Sequence, residues 1–235
     1  MNTFRAASAL DKSGPRHRWL SWAGAALFLP AIAAAGAAQA SVVYDESVSG
    51  DLSNSGLAPA PVLFAAGNNL VFGSTGAAGG VVDRDYFTFT LLPDHWLTLI
   101  EVLPGTTAIG GLNISFIAIQ AGPQVTVDPN PANAIVGDLL GWRHFGPDDI
   151  GNDILPQIGV GAGAQGFVPS LGPGTYSVWI QETATGSASY GFNFGVAAVP
   201  EPASWAMMIV GFGAIGASLR ARRKLALRQR PALAR

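Results

Sequence analysis

The sequence predicts an all-β domain, an antiparallel β-sandwich, held between two apolar ends flanked by basic residues. Three observations point to it. Short runs alternate apolar and polar residues with period two, turn residues separate them, and no stretch between the ends carries a long amphipathic helical pattern. The first candidate strand is Val42–Val48, followed by Leu70–Gly73. In Asp85–Leu91, Phe87, Phe89 and Leu91 share one face, and Tyr86, Thr88 and Thr90 share the other. Trp96–Leu103, Leu112–Gln120 and Ile135–Trp142 continue the series, and Pro147–Leu155 holds a short helical turn. In Gly174–Glu182, Tyr176, Val178 and Ile180 alternate with Thr175, Ser177, Trp179 and Gln181. In Tyr190–Val196, Tyr190, Phe192, Phe194 and Val196 oppose Gly191, Asn193 and Gly195.

The chain has 235 residues, with 30 Gly, 16 Pro and no Cys. That length leaves room for one sizeable domain once targeting segments are set aside, and the absence of Cys excludes disulfides and thiolate chemistry. Residues 41–199 carry two basic groups, Arg84 and Arg143, against thirteen carboxylates, a net of −11. A domain so poor in cations cannot neutralise phosphates, which argues against nucleic acid as a partner.

Residues 1–40 read as a signal peptide. Arg5, Lys12, Arg16 and Arg18 lead into the apolar run Trp19–Ala38, which ends in Ala38-Gln39-Ala40 before Ser41. Small residues at Ala38 and Ala40 suit signal peptidase, with cleavage expected between Ala40 and Ser41. Arg16-His17-Arg18 is no twin-arginine pair, so the general secretory route is expected.

The opposite end holds Ala203–Leu219, seventeen residues without a charge. As a helix it would be about 25 Å long, against a hydrocarbon core of roughly 30 Å, and is expected as a marginal transmembrane helix over 203–219. Trp205 suits an interface. Arg220, Arg222, Arg223 and Lys224 form a membrane stop, leaving residues 225–235 as a basic cytoplasmic tail and the domain, 41–198, in the periplasm.

Pro200-Glu201-Pro202, then Trp205-Ala206-Met207-Met208, Gly211-Phe212-Gly213, Gly216 and the basic cluster closely resemble the PEP-CTERM sorting signal in its PEPxxWA variant, here over 199–224. The resemblance implies recognition through Pro200, Glu201, Pro202 and Trp205 by an exosortase, a membrane-embedded transpeptidase-like enzyme of bacteria that make exopolysaccharide. It also implies transient anchorage in the inner membrane, a cut near the motif, and passage to the cell surface or extracellular matrix. The two prolines fix φ on either side of Glu201 and remove two backbone donors, which favours an extended, readable segment.

A second resemblance concerns the domain. Asp83-Arg84-Asp85-Tyr86-Phe87-Thr88-Phe89, the Leu97–Ile100 strand, Leu171-Gly172-Pro173-Gly174-Thr175-Tyr176-Ser177-Val178 and Ser189-Tyr190-Gly191-Phe192 are similar to bacterial pre-peptidase C-terminal domains. That similarity implies a jelly-roll-like β-sandwich without catalysis of its own.

Residues able to do chemistry are few. His95 and His144 stand singly, without the close ligand pairs a zinc site uses, and no Gly-x-Ser-x-Gly elbow occurs in the domain. Gly161-Ala162-Gly163-Ala164-Gln165-Gly166 mimics a phosphate loop but lacks a following helix and a basic neighbour. Asp148, Asp149, Asn152 and Asp153 gather oxygen ligands in one loop and are the first calcium candidate, with Asp83 and Asp85 a second. Trp96, Trp142 and Trp179 are candidates for stacking on sugars, Trp179 foremost because it opposes the apolar face of its strand. The expected function is a non-enzymatic exported protein of the envelope or extracellular matrix, linked to exopolysaccharide or biofilm. A carbohydrate- or matrix-binding module is the alternative, and a secreted hydrolase a third.

Overall fold

The computed structural model describes residues 40–130, 133–199 and 202–228. Residues 1–39 of the expected signal peptide, with Ala38, and the motif residues Pro200 and Glu201 lie outside the described residues, as do residues 229–235 of the tail. Ala40 and Ser41, which flank the expected cleavage point, are exposed at the start of the first strand.

The described chain is mostly β. Its strands are β1 (Ala40–Asp45), β2 (Ala60–Pro61), β3 (Gly67–Ala78), β4 (Val81–Leu91), β5 (His95–Val102), β6 (Ser115–Ala121), β7 (Gly141–Phe145), β8 (Gly174–Gln181) and β9 (Gly186–Ala198). Helices are short within the domain: α1 (Glu46–Ser49) and α2 (Leu155–Ile158), with α3 (Pro202–Arg228) following β9. A 3-10 turn at Pro147–Asp149 and α2 occupy the region expected to turn helically.

The main strand path runs β5-β9-β3-β4-β8-β6-β7, with β1 and β2 attached in parallel to β3 and β4. All neighbours along that path are antiparallel. The corner is the β3–β4 hairpin. Gly79 and Gly80, at φ of 60° and 81°, make its two-residue turn, a left-handed conformation that glycine adopts without steric cost. Only Gly76–Ala78 and Val81–Asp83 pair across it. Beyond that point β3 follows β9 from Ala77 back to Gly67, whereas β4 follows β8 from Arg84 to Leu91. One continuous, mainly antiparallel sheet of nine strands therefore curls over itself, in keeping with the all-β expectation.

The curl brings apolar faces together. Phe87, Phe89, Val178, Ile180, Ile117 and Ile119 from one half meet Phe192, Phe194, Ile100, Val102 and Val71 from the other. Phe145 of β7 lies edge-on to Phe192 of β9 at 4.9 Å, and Phe87 of β4 edge-on to Phe194 at 5.6 Å, contacts that join the halves. A smaller cluster, Tyr86, Ala118, Val125, Val127, Leu139 and Trp179, covers part of the outer face of β4, β6 and β8.

Three expected strands change at their ends for local reasons. Val42–Val48 stops at Asp45, because the Asp45 carboxylate accepts from Ser47 N at 2.9 Å and caps α1. Ile135–Trp142 becomes a 3-10 turn at Val136–Asp138 and yields to β7 only at Gly141. Leu112–Gln120 begins as strand at Ser115.

At the C-terminal end, the expected helix forms and is longer than its uncharged core. Among the described residues, however, no helix is long and apolar enough to cross a membrane, which corrects the transmembrane span expected at 203–219. Gly211, Gly213 and Gly216 dilute its apolar content, and Arg220 follows after seventeen uncharged residues.

Candidate functional site

Strand register builds two rows of side chains across the outer face of β4, β8, β6 and β7. Tyr86, Trp179, Ala118 and Trp142 are successive cross-strand partners in one row. Arg84, Gln181, Phe116 and His144 are partners in the next. Same-face neighbours on adjacent strands lie close enough for aromatic rings to touch. Ala118, between the two indoles, leaves the space into which Phe116 leans, edge-on to Trp179 at 4.8 Å and stacked with Trp142 at 5.8 Å. His144 stands edge-on to Trp142 at 5.8 Å.

Trp179 and Trp142 of the first row and all four residues of the second line a groove of about 520 Å³, completed by Val82, Pro129, Ala134, Val136, Glu182 and Thr183 among others. Its polar groups are fixed in place. Gln181 Oε1 accepts from Arg84 Nε at 2.9 Å and from Trp179 Nε1 at 3.2 Å. Glu182 accepts from Ser115 Oγ at 2.8 Å and from the backbone N–H groups of Thr183 and Ala184. Trp142 Nε1 donates to Ala162 O at 3.0 Å, so the glycine-rich 161–166 loop positions an indole.

The three candidate tryptophans separate. Trp142 and Trp179 come together in this groove, but Trp179 is only 4 % exposed and forms its floor beside Tyr86. Trp142, half-buried, is the indole that presents a face. Trp96 lies elsewhere, exposed on β5. Phe116, Arg84 and His144 complete the groove. Sequence reasoning did not single out Phe116 or Arg84 for this site, because only strand register makes them neighbours of Trp142 and Trp179.

The acidic loop is knitted into local structure. Asp149 pairs with Arg143 at 2.8 Å and accepts from Gly146 N. Asp153 Oδ1 accepts from Ile100 N and Leu155 N, each at 3.0 Å, tying the loop to β5 and starting α2. Asp148 accepts from Asn113 Nδ2, and Asn152 donates to Asp148 O. His95 pairs with Asp94 at 2.7 Å at the head of β5, whereas His144 sits on β7.

The sorting segment starts where the sheet ends. Val199 N donates to Asp94 O at 2.8 Å, and α3 begins at Pro202, so no linker separates β9 from the Pro-Glu-Pro step. From Trp205 to Lys224 every residue of α3 but Gly216 is exposed, including Trp205, Met207, Met208, Ile209, Val210, Phe212, Ile215 and Leu219. Arg220, Arg222, Arg223 and Lys224 occupy its later turns, also exposed. Residues 198–224 match the family model described as the PEP-CTERM protein-sorting motif. No curated protein and no solved structure matches the chain. The PEP-CTERM motif implies a secreted protein targeted to an exosortase as its processing partner.

Proposed function

We propose that the protein is a non-enzymatic component of the cell envelope or extracellular matrix, delivered by export and membrane-associated sorting. In this reading signal peptidase releases Ser41, the β domain enters the periplasm, and an exosortase acts near Pro200-Glu201-Pro202 before the domain reaches the surface. The observation that carries it is the PEP-CTERM motif set directly behind β9. The exposed apolar residues of α3 support it, because they surround the helix and find no cover among the described residues. Mass spectrometry of the mature protein from its native host tests the reading. An N-terminus at Ser41 and a C-terminus close to residue 202 are expected, and a surface-fraction protein still ending at Arg235 would overturn the processing step.

The aromatic groove favours a second reading, in which the domain holds exopolysaccharide. A pyranose ring offers an apolar face to Trp142 and Phe116, while its hydroxyls reach Arg84 and His144 at the rim. Affinity electrophoresis through the host's own polysaccharide checks this: Trp142→Ala is expected to abolish retardation. Equal retardation of both proteins sinks it.

A further inference from the structure

On the other side of the molecule, α1, the 50–52 segment, β3 and β9 enclose an open cleft of about 490 Å³. Glu46 and Asp51 line it, and one oxygen from each lies within 4.8 Å of the other and of an oxygen of buried Asp85. Glu46 and Asp51 come from α1 and the loop directly after it, but Asp85 comes from β4, so no short motif announces the set. Two are held from behind. Glu46 Oε2 accepts from Ser74 N at 2.7 Å and its Oε1 from Leu52 N at 3.1 Å, and Asp85 Oδ2 accepts from Tyr190 Oη at 2.7 Å.

Asp85 is fully buried, and its second oxygen, Oδ1, finds no N–H or hydroxyl donor among the described residues, its side-chain neighbour being the Glu46 carboxyl. A buried carboxylate oxygen without a donor is costly, and like charges beside it raise the cost. No basic side chain of the domain answers it. Arg84 points to the opposite face and bonds Gln181, while Arg143 is paired with Asp149. The site is therefore relieved either by a proton shared between the carboxyls or by a cation from outside the domain.

We propose that Glu46, Asp51 and Asp85 form a binding site for a hard divalent cation of the calcium type. The donor set is oxygen only, which suits calcium and not zinc or copper. Exposed Asp51 lies at the cleft side, where water completes the coordination, and the Ser74, Leu52 and Tyr190 donors orient the two inner carboxylates as outer-shell partners do. Without a cation, burial and then the neighbouring Glu46 charge push the Asp85 carboxyl up to about 9. A proton is the competitor that calcium has to displace.

Calorimetric titration of the full chain with calcium, paired with thermal unfolding in calcium or EDTA, tests the site. Saturable binding and a calcium-dependent rise in Tm are expected. Asp51→Asn, at an exposed position, is expected to weaken calcium binding about tenfold or more and, because it removes a like charge, not to lower the Tm in EDTA. Asp85→Asn is expected to abolish the calcium response, and Asp148→Asn to preserve it. The proposal is overturned if calcium gives neither heat nor a Tm rise. It is equally overturned if Asp148→Asn, and not Asp51→Asn, removes the response, which would move the site to the 148–153 loop.

Discussion

Glu46 and Tyr190 reach the backbone of β3 only because residue 73 carries no side chain. A Cβ there would lie 2.6 Å from Tyr190 Cζ and 2.8 Å from Glu46 Cδ, closer than van der Waals contact permits. Gly73→Ala is expected to destabilise the protein by about 1–3 kcal/mol, the usual range for overpacking, and to displace Tyr190 from Asp85. Urea denaturation measures the first and the Tyr190 near-ultraviolet signal the second. Asp85 also makes stability depend on pH in the protein stripped of cations. Its folded carboxyl titrates near 9 and its unfolded one in the ordinary range, so the folded state binds the extra proton between them. That contribution is complete below the unfolded value and is lost as pH rises towards 9. The groups facing Asp85 are Glu46, Asp51, Asp83, Tyr44 and Tyr190. Thermal unfolding in EDTA between pH 5 and pH 9, conditions set by that window, is expected to show Tm falling with pH in the wild type and a flatter profile in Asp85→Asn. A parallel fall in both proteins would place the titrating group elsewhere.

Among the elements, β9 does most to close the sheet, since it pairs with β3 along one edge and β5 along the other. Its inward residues, Phe192 and Phe194, are completely buried and meet rings from β4 and β7. Phe194→Ala is expected to cost about 3–5 kcal/mol in chemical denaturation, as large aromatic truncations in cores do. A loss below 1 kcal/mol, on the same scale, would mean that the halves do not share a core. Alternation made β4, β8 and β9 readable within a few residues, because large apolar side chains recur at every second position, even though β8 and β9 bury both faces over much of their length. β2 escaped notice: Ala60–Pro61 has too few residues for any period to show, and its place is set by pairing with β4. Asp45 ended β1 early by capping α1, a competition between side chain and ladder that alternation does not register.

For the molecule as a whole, the sheet and the sorting helix divide the work. Described side chains of α3 are exposed almost throughout and add nothing to the sheet's core. Deleting residues 199–235 is accordingly expected to leave the Tm of the β domain within about 2 °C of the full chain, measured in detergent, while abolishing membrane-associated sorting. A large loss of Tm would show that the helix packs against the domain.

The amino-acid order by itself determined the β character, the acidic middle between basic ends, and the sorting motif, because periodicity, charge and a contiguous recognition segment are all local properties. The tertiary structure decided that the sheet is continuous and curled, that Trp142, Phe116 and His144 share a groove, and that the Glu46, Asp51 and Asp85 carboxylates converge. Each of those depends on which strands lie side by side. That is fixed by the Gly79-Gly80 corner and the burial of the phenylalanines across it, contacts between residues up to a hundred or so positions apart that no local pattern encodes.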